Sequence, residues 1–287
     1  MRLFYSLAWL PLLPVAFLYL LWRARRQPDY LDHWRERLGW APMSERPLIW
    51  LHAVSVGETR AAAPLVKALM ARHPDHAILL THATPTGRAT GGELFGEAVL
   101  QAYLPYDFPP LVWLFMRRAR PALGVIMETE IWPNLYAACA RRRIPLFLVN
   151  ARMSEKSARG YGRFRALIAP ALRGLAGIAA QTMNDAYRLR ELGAHAVEIS
   201  GNVKFDVTAP ADSAERARDL RALFQGRFVL LLASTREGEE ALLLDALAGL
   251  ELPGLLLVLV PRHPQRFEEV ARLLAARGLA YARRSEQ

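Results

Sequence analysis

Hydrophobic and polar positions along the chain fall into three regimes. Residues 3–22 form an uninterrupted uncharged run of about twenty residues, closed at once by Arg23, Arg25 and Arg26. From residue 48 short apolar runs of strand length alternate with segments of helical periodicity. The runs at 48–56, 77–84, 99–105, 123–128, 145–150, 177–182 and 197–201 read as strands, and 61–72 and 111–118 as helices between them. Wholly apolar strands separated by helices predict a parallel sheet covered on both faces. A thinner series follows residue 210: helix 214–223, strand 228–234, helix 237–250, strand 255–260, helix 264–276 and a short run at 279–282.

These regimes predict an α/β protein with an N-terminal anchor and basic flank over 1–26, a first Rossmann-like domain over 27–205, and a partial second domain over 206–287. The linker falls at 206–213. A run of ~20 apolar residues suits a bilayer core of ~30 Å, and the arginines that follow it belong on the cytoplasmic side. A cleaved signal peptide would carry its charge before the run and small residues after it. A buried core helix would show a polar face, and 3–22 shows none as a sequence. Pro11 and Pro14 leave open whether the segment spans as a single pass or inserts from one side. The second series is too short to finish a sheet, so it reads as either unusually small or cut short.

Charge and cysteine content narrow the class. The net charge is +10, but the arginines are dispersed, with no Lys/Arg tract interleaved with stacking aromatics, so nucleic acid is not an expected partner. An anionic inner-membrane surface or a phosphorylated substrate accounts for the excess more simply. The lone Cys139 excludes an intrachain disulfide and a Cys-cluster metal site. It reads as a small core residue in a reducing compartment.

In open parallel sheets ligands bind beyond the carboxyl ends of the strands, so the chemistry is read there. The first strand leads into His52, Ser55, Gly57 and Glu58; Gly57 allows a tight turn, and Glu58 can either cap the next helix or serve as a general base. The second leads into Thr84 and Thr86, which suit phosphate or sugar hydroxyls and equally an ordinary helix start. Asp107 follows the third and is expected to cap the helix begun by Pro109 and Pro110. The fourth ends in Glu128, Glu130, Trp132 and Asn134, and the fifth in Arg152 and Ser154. Lys204 sits at the domain crossing, where it can neutralise a phosphate. In the second series Ser234 and Thr235 end one strand, and Pro261, Arg262 and His263 the next. No GxGxxG or P-loop is present, and no three-ligand metal arrangement is evident.

Taken in order, the blocks HAVSVGE (52–58), TPTG (84–87), LPYD (104–107), METEIWPNL (127–135), NARMS (150–154), GNVKFD (201–206), STREGEE (234–240) and PRHPQRF (261–267) resemble the bacterial 3-deoxy-D-manno-octulosonic acid (Kdo) transferases of glycosyltransferase family 30. The resemblance implies two Rossmann-like domains in the GT-B arrangement, acceptor in the first and nucleotide sugar in the second. It implies inverting transfer of Kdo from CMP-Kdo to lipid IVA, the lipid A precursor of lipopolysaccharide, with no cofactor and no bound metal. By motif position Glu58 would be the general base, with Glu128 and Lys204 stabilising the transition state. Ser55, Gly57, Thr84, Thr86, Glu130, Asn134, Arg152 and Ser154 would face the acceptor, and Ser234, Thr235, Pro261, Arg262 and His263 the donor. Two departures stand out: Arg236 replaces the family's common His, and family members continue well beyond residue 287. The alternatives are a non-catalytic module that binds the lipid A precursor, and an anchored transferase using another nucleotide sugar.

Overall fold

The structure, a computed structural model, describes residues 1–206, 212–250 and 252–284. The chain divides into two compact units, Met1–Thr208 and Ala209–Gln287. Residues 207–211 of the expected linker lie outside the described residues.

The first unit is built on seven strands: β1 (Leu48–His52), β2 (Ala77–His82), β3 (Leu100–Tyr103), β4 (Pro121–Met127), β5 (Leu146–Ala151), β6 (Gly177–Ala180) and β7 (Val197–Ile199). Every pairing is parallel, and the order is β3-β2-β1-β4-β5-β6-β7. The order reverses between β1 and β4, which is where a doubly wound sheet opens a crevice at its carboxyl edge.

Alternation within β1 fixes the two layers of core. Leu48 and Trp50 face helices α4 (Pro109–Ala119) and α5 (Pro133–Arg141), meeting Phe115, Met116, Leu135 and Cys139. Ile49 and Leu51 face α2 (Val56–Arg72), meeting Ala61, Ala62 and Val66. Successive strand residues point to opposite faces, so a strand covered on both sides must be apolar throughout. Helices α3 (Pro85–Phe95), α6 (Glu155–Gly162), α7 (Arg165–Arg173) and α8 (Met183–Glu191) complete the cover.

Preceding them, α1 (Arg2–Ala24) is a single helix long and apolar enough to cross a membrane. One side of it is shielded: Tyr5, Ser6, Trp9, Leu13, Ala16 and Arg23 are half-buried and Leu20 and Ala24 buried, while the rest is exposed. Apart from Arg23, that side is uncharged.

The second unit holds α9 (Ser213–Phe224), β8 (Phe228–Thr235), α10 (Glu239–Leu247), β9 (Leu255–Pro261) and α11 (Phe267–Ala276). Strands β8 and β9 pair in parallel. The run at 279–282 is not a strand: it is irregular, with Leu279 and Tyr281 over 40% exposed, because an isolated apolar run without a neighbour has no ladder to join. Arg266 locks this unit from within, forking onto buried Glu240 at 2.8 and 2.9 Å.

Beneath the crevice lies a buried polar stack. Trp50 Nε1 donates to Thr81 Oγ1 at 2.8 Å, and His52 Nδ1 sits 2.9 Å from the same oxygen. His82 Nδ1 donates to Ala53 O at 3.1 Å. With the Gln101 amide turned so that its nitrogen faces the ring, His82 Nε2 accepts at 3.0 Å. Burial pushes His52 down to about 3 and His82 to about 4, so both are neutral in the fold. The unfolded chain takes up these protons near its ordinary pKa of about 6.5. The stability they lend is therefore complete above pH ~6.5 and lost as pH falls toward ~4. Denaturant midpoints should drop across that window, with a shallower slope in His82→Gln; equal slopes would contradict neutral burial.

Candidate active site

The crevice is lined by turns whose sequences commit them to helix starts. Ser55 is the N-cap of α2, which makes Glu58 its third residue. The Glu58 carboxylate turns back over its own helix and accepts from Val54 N–H at 2.8 Å and Ser55 Oγ at 3.1 Å. Capping and catalysis are thus not exclusive, because each carboxylate oxygen keeps a further lone pair for a ligand proton. Gly57 is exposed, and a Cβ there would meet nothing nearer than Ser55 Oγ at 4.0 Å, leaving the approach to Glu58 open. Thr84 caps α3 through Gly87 N–H at 3.1 Å and donates to Val54 O at 3.2 Å, tying the second turn to the first. Thr86 is exposed beside it.

Across the switch point, Glu128 directly follows β4 in a left-handed conformation (φ 58°), an uncommon state for a residue with a Cβ. Lys204 Nζ lies 3.7 Å from Glu128 Oε1. Lys204 comes from the far edge of the sheet, from the short 3₁₀ turn after β7. Asn150 draws that turn inward: buried and itself left-handed (φ 52°), it accepts Val203 N–H on Oδ1 at 3.2 Å. In the sequence Asn150 stands at the end of the fifth apolar run and opens the NARMS block. An Asn ending an apolar strand is the signal that was available, since Asn tolerates left-handed backbone better than most residues.

Glu58 feels the charge of Glu128, and Glu130 feels those of Glu58 and Glu128. Burial first, then the charge of Glu58, pushes Glu130 up to about 7. Glu58 is raised chiefly by burial, with Glu128 adding to the effect and the Val54 and Ser55 hydrogen bonds opposing it. Three further buried polar atoms near these strand ends, His52 Nε2, Asn150 Nδ2 and Trp132 Nε1, lack a partner among the described residues. Buried groups are rarely left so, and their position at the ends of β1 and β5 and just before α5 marks the edge that a ligand would complete.

Two candidates sit elsewhere than their motif position suggested. Asn134 is buried, donating Nδ2 to Asp107 O at 2.7 Å and accepting from Ser6 Oγ at 3.0 Å, so its amide is engaged behind the site. Asp107 does not cap α4, whose N-cap is Phe108 with no side-chain bond. It reaches instead to α5, accepting from Asn134 N–H at 2.9 Å and Leu135 N–H at 2.8 Å. Burial pushes Asp107 up to about 6. Arg152 and Ser154 are exposed on the same edge. Ser154 caps α6 through Ser157 N–H at 3.1 Å, and Thr129 Oγ1 donates to Arg152 O, joining the two loops.

In the second unit the candidate donor residues occupy the carboxyl ends of β8 and β9. Ser234 is exposed and left-handed (φ 64°), Thr235 is buried, Pro261 is half-buried, and Arg262 and His263 are exposed. Arg262 N–H donates to Thr235 O at 3.0 Å, which links the two turns.

The site's electrostatics yield a direct test. An NMR titration of the Glu58 carboxyl should place its midpoint above the ordinary value of about 4.3. In Glu128→Gln, with a negative neighbour removed, ionised Glu58 is favoured and the midpoint should move down. An unchanged midpoint would contradict the coupling.

Comparison with known proteins accords with this geometry. The family profile described as "3-Deoxy-D-manno-octulosonic-acid transferase (kdotransferase)" matches residues 32–207. The 3-deoxy-D-manno-octulosonic acid transferase of Bordetella pertussis is 45% identical over 296 aligned positions, covering 98% of this chain and 68% of that protein. Its counterpart in Haemophilus influenzae is 36% identical, covering 99% of this chain and 68% of that protein. Among solved structures, the UDP-GlcNAc 2-epimerase of Neisseria meningitidis superposes with a TM-score of 0.53 at 12% identity, over 80% of this chain and 69% of that one. A glycosyltransferase from Rickettsia africae superposes with a TM-score of 0.52 at 15% identity, over 82% and 66%. These likenesses show a shared α/β fold of the GT-B type. Through its profile match and its close relatives, the chain belongs to the Kdo transferases, a family of glycosyltransferases.

Proposed function

We propose that this protein transfers Kdo from CMP-Kdo to lipid IVA with inversion at the transferred sugar, working at the cytoplasmic face of the inner membrane. The observation that carries the reading is the pinned Glu58 carboxylate at the switch point, facing the Glu128–Lys204 pair. In the proposed step an acceptor hydroxyl oxygen attacks the anomeric carbon and forms the new C–O bond. The bond from that carbon to the CMP phosphate oxygen breaks, CMP leaves with the electron pair, and Glu58 takes the hydroxyl proton. Lys204 offsets negative charge on the donor as the phosphate departs, and Glu128 orients the ammonium that does so.

Ser55, Gly57, Thr84, Thr86, Glu130, Arg152 and Ser154 form the proposed acceptor edge, with Asn134 supporting it from behind. Ser234, Thr235, Pro261, Arg262 and His263 form the proposed donor edge. No metal takes part in the proposed step. Helix α1 and the basic flank hold the protein against anionic lipid, which keeps the acceptor's acyl chains in the bilayer during transfer.

Loss of a general base costs on the order of 10²–10⁴ in rate. Glu58→Gln should therefore lose that much Kdo transfer while keeping the wild-type melting temperature, and wild-type transfer should be unaffected by EDTA. Turnover by Glu58→Gln near the wild-type rate would overturn the assignment. Lipid IVA binding with no CMP binding and no transfer would favour a binding module instead.

A further inference from the structure

Helix α1 is fastened to the first unit near both of its ends. Its shielded residues recur at three- and four-residue spacing, Tyr5, Trp9, Leu13, Ala16, Leu20 and Ala24, which is one continuous face. At the N-terminal end the Tyr5 hydroxyl faces the Asp107 carboxylate. Ser6 Oγ donates to Asn134 Oδ1 at 3.0 Å, and the Trp9 ring lies 6.0 Å from that of Tyr106. At the other end Phe17 packs on Trp34 at 6.1 Å, Leu20 and Ala24 pack with buried Tyr30, and Arg23 donates to the Tyr30 hydroxyl at 2.5 Å.

That double attachment conflicts with a bilayer crossing. A helix of 23 residues is about 34 Å long, close to the thickness of a bilayer core. Were it to cross, Tyr5 and Arg23 would lie on opposite sides. Asp107 and Asn134 would have to follow Tyr5 and Ser6, yet both are buried and joined to the same sheet and helices as the rest of the unit. The outer face is meanwhile bare and apolar: Leu3, Phe4, Leu10, Val15 and Leu18 are 55–71% exposed. Arg2 stands at one end of this face and Arg25 and Arg26 at the other, with Trp22 beneath Arg26 at 5.4 Å. An apolar face bounded by cations and interfacial aromatics fits the headgroup–acyl boundary of an anionic leaflet.

We infer that α1 lies in the plane of one leaflet, with both its ends on the side where the catalytic edge sits, and does not cross. The inference rests on the membrane location proposed above. It places the leaflet beside Asp107 and Asn134, at the root of the loop that carries Glu128 and Glu130, so the anchor also sets the height of the site above the lipid.

The test is one-sided labelling. Cys139 is buried and its thiol is pushed up to about 12, so it is silent. A cysteine introduced as Arg2→Cys then reports the N-terminal end, and Arg26→Cys serves as the cytoplasmic reference. With an impermeant maleimide, Arg2→Cys should react in inverted inner-membrane vesicles and not in spheroplasts, matching Arg26→Cys. Reaction from the periplasmic face, or from neither face until detergent is added, would overturn the in-plane arrangement. Protein that fails to sediment with membranes at all would overturn the membrane location itself, which is a separate outcome.

Discussion

A parallel sheet whose strand order reverses must part its connecting segments at the reversal, and the functional face of this protein hangs on that constraint. Between β1 and β4 the chain leaves the sheet in opposite directions, so the turns after the two strands face each other across open space. Glu58 stands at the head of the helix after β1, and Glu128 directly follows β4. Neither position is free to move far, because the strands beneath are buried on both faces and held by a fixed ladder. The separation of the two carboxylates is therefore a property of the sheet.

Placing several carboxylates in a half-buried crevice is unfavourable unless each is held and compensated. Glu58 is compensated by a backbone N–H, a hydroxyl and the start of its own helix, where the dipole favours negative charge. Glu128 is compensated by Lys204, whose turn is drawn across the sheet by Asn150. Glu130 is largely buried beside two negative neighbours, Glu58 and Glu128, and its carboxyl is pushed up to about 7. Asp107 solves a related problem further back. It satisfies the first amides of α5, and so fixes the start of the helix to which the Glu128–Trp132 loop must connect. Tyr5 and Ser6 lean on the same junction, which makes α1 and the Glu128–Trp132 loop neighbours in one assembly.

The parts legible in the sequence were those set by local pattern. All seven strands of the first sheet announce themselves as apolar runs, because a strand covered on both faces has little room for polar positions. What stayed hidden depends on partners distant in the chain. Asp107, followed by two prolines, has the local look of a cap for α4, but its acceptors are spent on amides 27 and 28 residues away. The Lys204–Glu128 pairing joins residues 76 positions apart and has no spacing rule; the resemblance of whole blocks gave the two a shared role and not this contact. Tyr5, Ser6 and Trp9 look like interruptions in an apolar run until their partners are seen. The segment at 279–282 has the composition of a strand but no neighbour to pair with.

The central claim is that Glu58 acts as the base in a single displacement, and stereochemistry tests it most directly. If Glu58 deprotonates the acceptor hydroxyl for direct attack on the donor, NMR of the isolated product should show the transferred Kdo with the anomeric configuration opposite to that in CMP-Kdo. Retention of the donor's configuration would require two displacements or a different face of attack, and would contradict the account.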